Sequence, residues 1–432
     1  MSPIPGRPFD AGIPATWFRD EWKSPSNYAF TILLLLGGDV VAKALAQLAG
    51  GRLTPVAFSF GWVSYATSAV NSAIGEHKLM PDADTGCSLI NGKNGSVRGN
   101  GSWVLGRIMR DYHWWMRDEI KVETERVLKS ARQYDLEAEK KKHPQLQKPV
   151  PERVQAGLVV SFWEASATKT AGKPGKDILY WSGICVSFVQ LGVAAIPCGL
   201  YGDWGVLLIT AAAIALCFIT GSLTQWKVEK WACRQLDGKE KVFVLTRGNG
   251  AQHAILIDSK GRGLDLEDLA TGFANVDAPH ITMSSRLIYA LLGVLWVLLL
   301  ITSSALIDDA WFLIAVGGIG ILQNMFVAGW NRKPDALGVP LDYVGVYGSP
   351  KVIDALYEVE RRYEKVGFNM VGTFFPSGIR DHEQATFDAI KQDHKRRKEA
   401  ESNKESSSSN GGGDGNEKTR MGDATVTMAT TR

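Results

Sequence analysis

The sequence predicts a membrane all-α fold, a six-helix bundle of three hairpins, with a small α+β cytosolic unit formed by the inserts between the hairpins. Three observations predict it. Six apolar stretches stand at 28–49, 55–75, 178–200, 204–224, 286–306 and 310–330, each close to the ~20 residues that cross a hydrocarbon core. They fall into three close pairs, so each pair reads as a hairpin. Lys and Arg gather at one end of all three: Arg19, Lys23, Lys78, Lys173, Lys176, Lys227, Lys230, Arg234, Arg286, Arg332 and Lys333, whereas the tips carry Arg52 against Asp203, Asp308 and Asp309. By the positive-inside rule both termini and both inserts face the cytosol. The lipid bilayer is the first partner implied, and the localisation is integral to a membrane.

Composition fits this only when split. A mean hydropathy of −0.06 averages an apolar third with a charged remainder. A net charge of +3, with no basic stripe interleaved with aromatics, excludes nucleic acid as a partner. The five cysteines, Cys87, Cys185, Cys198, Cys217 and Cys233, have neither disulfide-framework nor metal-ligand spacing. No metal and no cofactor is expected.

The elements follow in order. Residues 1–27 are Pro-rich, without the basic start and short apolar core of a signal peptide. Hairpin 28–75 comes next. Insert 76–177 holds a strand at 87–90, a glycine-rich run at 91–101, and a helix that Ser102 caps, with apolar residues at helical spacing from Leu105 to Met116 and a charged continuation to Lys142. A buried strand at 157–163 closes it. After hairpin 178–224, insert 225–285 carries two β-rich runs, 241–247 and 252–258, joined through Gly248-Asn249-Gly250, a strong hairpin signal. A lone hairpin is marginal in water, so strands of both inserts should share one sheet. A short helix at 265–270 precedes hairpin 286–330. Residues 331–401 read as a helical cytosolic tail, with one amphipathic helix from Ser349-Pro350 to Gly367 and a charged one at 381–401. The Ser/Gly/Asn-rich 402–432 reads as disordered, with Ser406 to Ser409 as potential phosphorylation sites.

Two groups of polar residues are candidate sites. Asp39, Lys43 and Gln47 recur every four residues in the first apolar stretch. Each charge near a bilayer centre costs about 2.5–3.5 kcal/mol, so the stripe should face the bundle or water, as a neutralised pair or an ion path. Asn71, Gln323 and Asn324 are its expected companions. Arg247, Asn249 and His253 at the second hairpin form a cytosolic polar cluster. His113 and His253 have no carboxylate or Cys at catalytic spacing and read as structural. The glycine run 91–101 reads as an anion cradle or a plain strand connection, since it matches neither phosphate-loop pattern.

The motifs KALAQLAGGRLTPVAFSFGWVSYA, LGVAAIPCGLYGDW, WKVEKWACR, LTRGNGAQHAILI, GLDLEDLA and WFLIAVGGIGILQN together resemble a family of multi-pass membrane proteins of filamentous fungi. The resemblance runs from the first helix to about Arg380 and implies a fungal membrane protein. It implies no catalytic or binding residue. The functional expectation is a non-enzymatic membrane scaffold or signalling protein whose cytosolic unit binds a protein partner. A small-solute or ion transporter using the Asp39–Lys43 pair is the alternative, and a membrane-associated enzyme the third.

Overall fold

Short, near-continuous apolar runs at 158–165, 242–246 and 253–258 form the centre of one six-stranded sheet, and helices cover both of its faces. The computed structural model describes residues 26–75, 79–142, 154–272, 283–306 and 309–409, with backbone alone at 26–36, 71–75, 142, 283–286 and 402–409. In chain order, helices α1 (Ser26–Leu48) and α2 (Gly61–Gly75) precede strands β1 (Ser88–Asn91) and β2 (Val97–Gly99). Helices α3 (Trp103–Arg110), α4 (Tyr112–Trp115) and α5 (Asp118–Lys142) lead to β3 (Leu158–Ala165). Then come α6 (Ile178–Tyr201), α7 (Gly205–Gly221), α8 (Thr224–Lys230), β4 (Val242–Thr246), β5 (His253–Asp258) and α9 (Leu266–Ala270). Helices α10 (Met283–Ser304) and α11 (Ala310–Gly329), strand β6 (Leu341–Ser349), and helices α12 (Val352–Arg362), α13 (Val366–Phe374) and α14 (Asp381–Ser409) complete the chain.

The sheet order is β2-β1-β4-β5-β3-β6. As the sequence predicts, strands of both inserts share it: β1 pairs antiparallel with β4, and β5 pairs parallel with β3, Val159 opposite His253. Period-two patterning sends alternate residues to two cores. Leu158, Val160, Phe162, Val244 and Leu256 pack against Leu356, Val359, Met370 and Phe374 of the C-terminal helices. Val159, Trp163, Phe243, Leu245, Ile255 and Ile257 face the other way, into the core shared with α3, α4 and the apolar helices.

The six-helix bundle is corrected by the structure. Among the described residues, three helices are long and apolar enough to cross a membrane: α6, residues 287–304 of α10, and α11. A fourth results if α7 and α8, bent by 43°, count as one span. The second apolar stretch is no spanning helix. Residues 53–59 are non-helical, and α2 has only 15 residues, about 22 Å of rise. Pro55, without an N–H, disfavours helix through this stretch. Thr54 to Phe60 are nonetheless buried, and buried irregular backbone needs partners. Side chains supply them. Gln190 donates to the Phe58 carbonyl at 2.7 Å, Asn324 to Ala57 at 3.0 Å, and the Trp62 indole to Ala57 at 2.9 Å. Glycines make the room: a Cβ on Gly320 would lie 1.6 Å from the Phe58 oxygen, and one on Gly183 1.9 Å from that of Pro55.

The direction of this first unit is also corrected. Helices α1 and α11 end level, because Gln47 donates to Val327 at 3.3 Å and to Trp330 at 3.0 Å. The connection after α1, expected at a far tip, lies against the sheet side, with Gly50 on Trp231 and Gly51 near Pro174. From there the chain re-enters the bundle as residues 53–60, and α2 brings it back. Tyr65 stacks on Trp226, and Leu79 and Met80 donate backbone N–H groups to Glu229 of α8.

Cations close the helix ends on the sheet side, where unpaired carbonyls and the helix dipole favour them. Lys230 donates to the Gln47 and Ala49 carbonyls, both at 3.0 Å, and Arg332 to Gln47. Arg332 also pairs with Asp177 at 2.8 Å, and Arg107 bonds Asp84 and the Ala328 carbonyl. All three cations are at most 1% exposed.

Three smaller expectations change too. The helix from Ser102 to Lys142 is broken into α3, α4 and α5. Ser102 stands at the cap position, but its side chain bonds nothing there; Asn100 instead bonds the Ser102 backbone on both sides. Strand β6, inside the stretch read as helical, pairs along β3 and completes the sheet.

Candidate functional site

The β4–β5 turn closes over α4 and encloses a cavity. Thr246 fixes its base, accepting from the Gly248 N–H at 3.3 Å and donating to the His253 carbonyl at 3.2 Å. Gly248 and Gly250 hold φ of 93° and 82°, in the left-handed region that glycine adopts without steric cost. Arg247 and Asn249 are thereby presented at the mouth, and Gln155 donates to the Gly250 carbonyl. The cavity measures about 310 Å³ and is lined by His113, Gln155, Arg247, Asn249, Gln252 and His253, with Met109 and Tyr112 beneath.

The three cluster residues that the sequence singled out, Arg247, Asn249 and His253, thus meet at one place, and the structure adds His113. The two imidazoles stand edge to face, 5.2 Å between centroids, and Tyr112 meets His253 at 5.3 Å. The Tyr112 hydroxyl is engaged elsewhere, by Ser161 at 2.9 Å. His253 is 8% exposed, yet neither ring nitrogen has a hydrogen-bond partner. It therefore lacks the bonds that the structural reading requires. Burial, then His113 and Arg247, push the His253 imidazole down to about 4. Burial and Arg247 lower His113 as well. Both shifts favour the neutral imidazole, beside the Arg247 guanidinium. Among the described residues no group of three or more His, Cys, Asp or Glu is placed to hold a metal ion.

The intramembrane candidates do not converge. Asp39 and Lys43 pair at 2.7 Å on an exposed face. Asp39 borders a cavity of about 370 Å³ with Tyr65, Ser68 and Asp82, which contains none of the other predicted residues. Gln47 is buried on α11, Gln323 donates to Ser182 at 2.7 Å, and Asn324 serves the re-entrant backbone. The side chain of Asn71 lies outside the described residues.

The glycine run 91–101 is a strand connection. Asn91 accepts from the Lys93 and Asn94 N–H groups, and Glu267 takes Asn91, Ser96 and Arg98 as donors. The chain's own carboxylate fills the place of an anion.

Sequence reasoning missed His113 and Gln155 as partners of the hairpin and the buried cations Arg107, Lys230 and Arg332. Local signals existed only for Lys230 and Arg332, as basic residues following apolar helices. With this geometry established, the chain was compared with known proteins: no protein family, curated protein or solved structure matches it.

Proposed function

We infer that this chain is an integral membrane protein whose water-facing α+β unit binds a ligand, a binding role rather than a catalytic one. The observation that carries the reading is the open cavity at which Arg247, Asn249, His253 and His113 meet with unused bonding capacity. Its lining holds no carboxylate, thiol or free hydroxyl to act as a nucleophile. Helices α6, α10 and α11 support membrane integration, and the Lys/Arg excess beside them supports a cytosolic sheet unit. A protein partner on that unit, and the kinship with fungal membrane proteins, belong to the same reading. Arg107, Lys230 and Arg332 tie the unit to the bundle through the carbonyls of Ala328, Gln47 and Ala49.

Two measurements test it. The protein should stay in membranes through alkaline carbonate extraction. A panel of small molecules should include one that raises the unfolding temperature of the wild type and leaves Ala251→Trp, which fills the cavity, unchanged. Extraction into the aqueous phase, or equal stabilisation of both proteins by every active compound, would sink the reading.

One observation favours transport as a second reading: irregular backbone at residues 53–60, buried among helices, is the kind of element on which transporters build sites. A path there would involve Gln190 and Asn324, not Asp39. Solute flux into reconstituted vesicles that Gln190→Ala abolishes would support it.

A further inference from the structure

We propose that the cavity between α4 and the β4–β5 turn is a binding site for a small oxyanion, a phosphate-bearing molecule held by Arg247 and the His113–His253 pair. The proposal rests on the binding reading above and names the ligand class. Its first support is the unused capacity of His253. An imidazole finished into a core donates from one nitrogen and accepts at the other, whereas His253 lines the cavity with both of its nitrogens buried and without a partner. Gln252 Nε2 is likewise buried and unpartnered.

The second support is the sign of the lining. Arg247, His113, His253, Gln155, Asn249 and Gln252 can all donate, and among the described residues no Asp or Glu lines the cavity. A guanidinium presents its donors in a planar fork that fits phosphate oxygens. The same charge opposes a metal cation, as does the want of a third ligand among the described residues. The third support is size. About 310 Å³ is several times the ~30 Å³ share of one water, so the site admits a phosphate together with part of the molecule bearing it.

An anion held in the cavity beside the two rings favours their charged forms, so binding takes up protons and affinity rises as pH falls. The groups facing His253 are His113 and Tyr112 from α4 and Arg247 from the turn. A soluble phosphate compound and a phospholipid headgroup share this chemistry.

The test uses the full chain in phosphatidylcholine nanodiscs, followed by histidine ring resonances. In one arm orthophosphate is titrated at about pH 7.5 and about pH 6, bracketing the usual histidine range. In the other, phosphatidic acid is built into the disc and no orthophosphate is added. A saturable histidine response is expected in at least one arm, tighter at the lower pH, and weakened about tenfold or more in Arg247→Gln. Response to orthophosphate identifies a soluble ligand, and response to phosphatidic acid alone a headgroup. Arg247 is exposed on the turn, so its replacement spares the fold. No saturable response in either arm, or a response that Arg247→Gln leaves intact, overturns the proposal. If both probes fail while another compound still stabilises the wild type but not Ala251→Trp, the oxyanion assignment falls and the binding reading stands.

Discussion

Gln190 and Phe58 meet across 132 residues of sequence, the side-chain amide of one donating at 2.7 Å to the backbone carbonyl of the other. The same nitrogen reaches the Val316 carbonyl at 2.9 Å. One side chain of α6 thereby holds the re-entrant segment against α11, and replaces the helical hydrogen bond that the segment lacks.

Gln190→Leu keeps similar bulk and removes the donor. It should lower stability in detergent by about 1–3 kcal/mol, the cost of stranding a buried carbonyl. A melting temperature equal to wild type would show that the amide does not hold this segment.

The neighbouring glycines give a matched pair. Gly320→Ala places a carbon on the Phe58 oxygen, whereas a Cβ on Gly318 meets nothing within 4 Å. The first should cost about 1–3 kcal/mol or more by overpacking, and the second should stay within about 0.5 kcal/mol of wild type. Equal melting curves for the two variants would contradict the close approach.

Stability should depend on acid through His253. Its folded value of about 4 lies below the unfolded value near 6.5. Between these values the unfolded chain binds more protons, so stability is full above about pH 6.5 and falls as pH drops toward 4. The loss approaches about 3 kcal/mol, at 1.36 kcal/mol per unit. Chemical unfolding of wild type and His253→Gln across that range measures it, and the variant should have the flatter profile.

Much of the sheet was legible because a short apolar, β-rich run bounded by turn residues is a local property. The runs 157–163, 241–247 and 252–258 are of this kind. Strand β6 was not, although Tyr343, Val344, Val346 and Tyr347 favour a strand, since Gly345 and Gly348 interrupt the run and it gains its place by pairing with β3. Hydropathy found the apolar stretches but not their path. A 21-residue apolar segment looks the same whether it spans as a helix or folds back at Pro55, because the partners that permit the second course, Gln190 and Asn324, lie far along the chain. At the candidate site Arg247, Asn249 and His253 were readable from one turn. His113 was not, as 140 residues separate it from His253, and only the packing of α4 on the sheet joins them.

The cations that close the helix ends set an order of assembly. Arg332 bonds the Gln47 carbonyl from 285 residues downstream. Lys230 reaches the same carbonyl from 183 residues downstream, so synthesis at about 5–20 residues per second leaves it waiting about 10–40 s for its first partner and about 15–60 s for both. During this interval the end of α1 must be held by water at the bilayer surface or by the insertion machinery. A chain cut short before Arg332 would carry α6, α10 and α11 and still leave the Asp177 carboxylate without its guanidinium partner. Truncated copies then carry a mark that the complete protein lacks, a carboxylate at the start of α6 with its counter-charge missing.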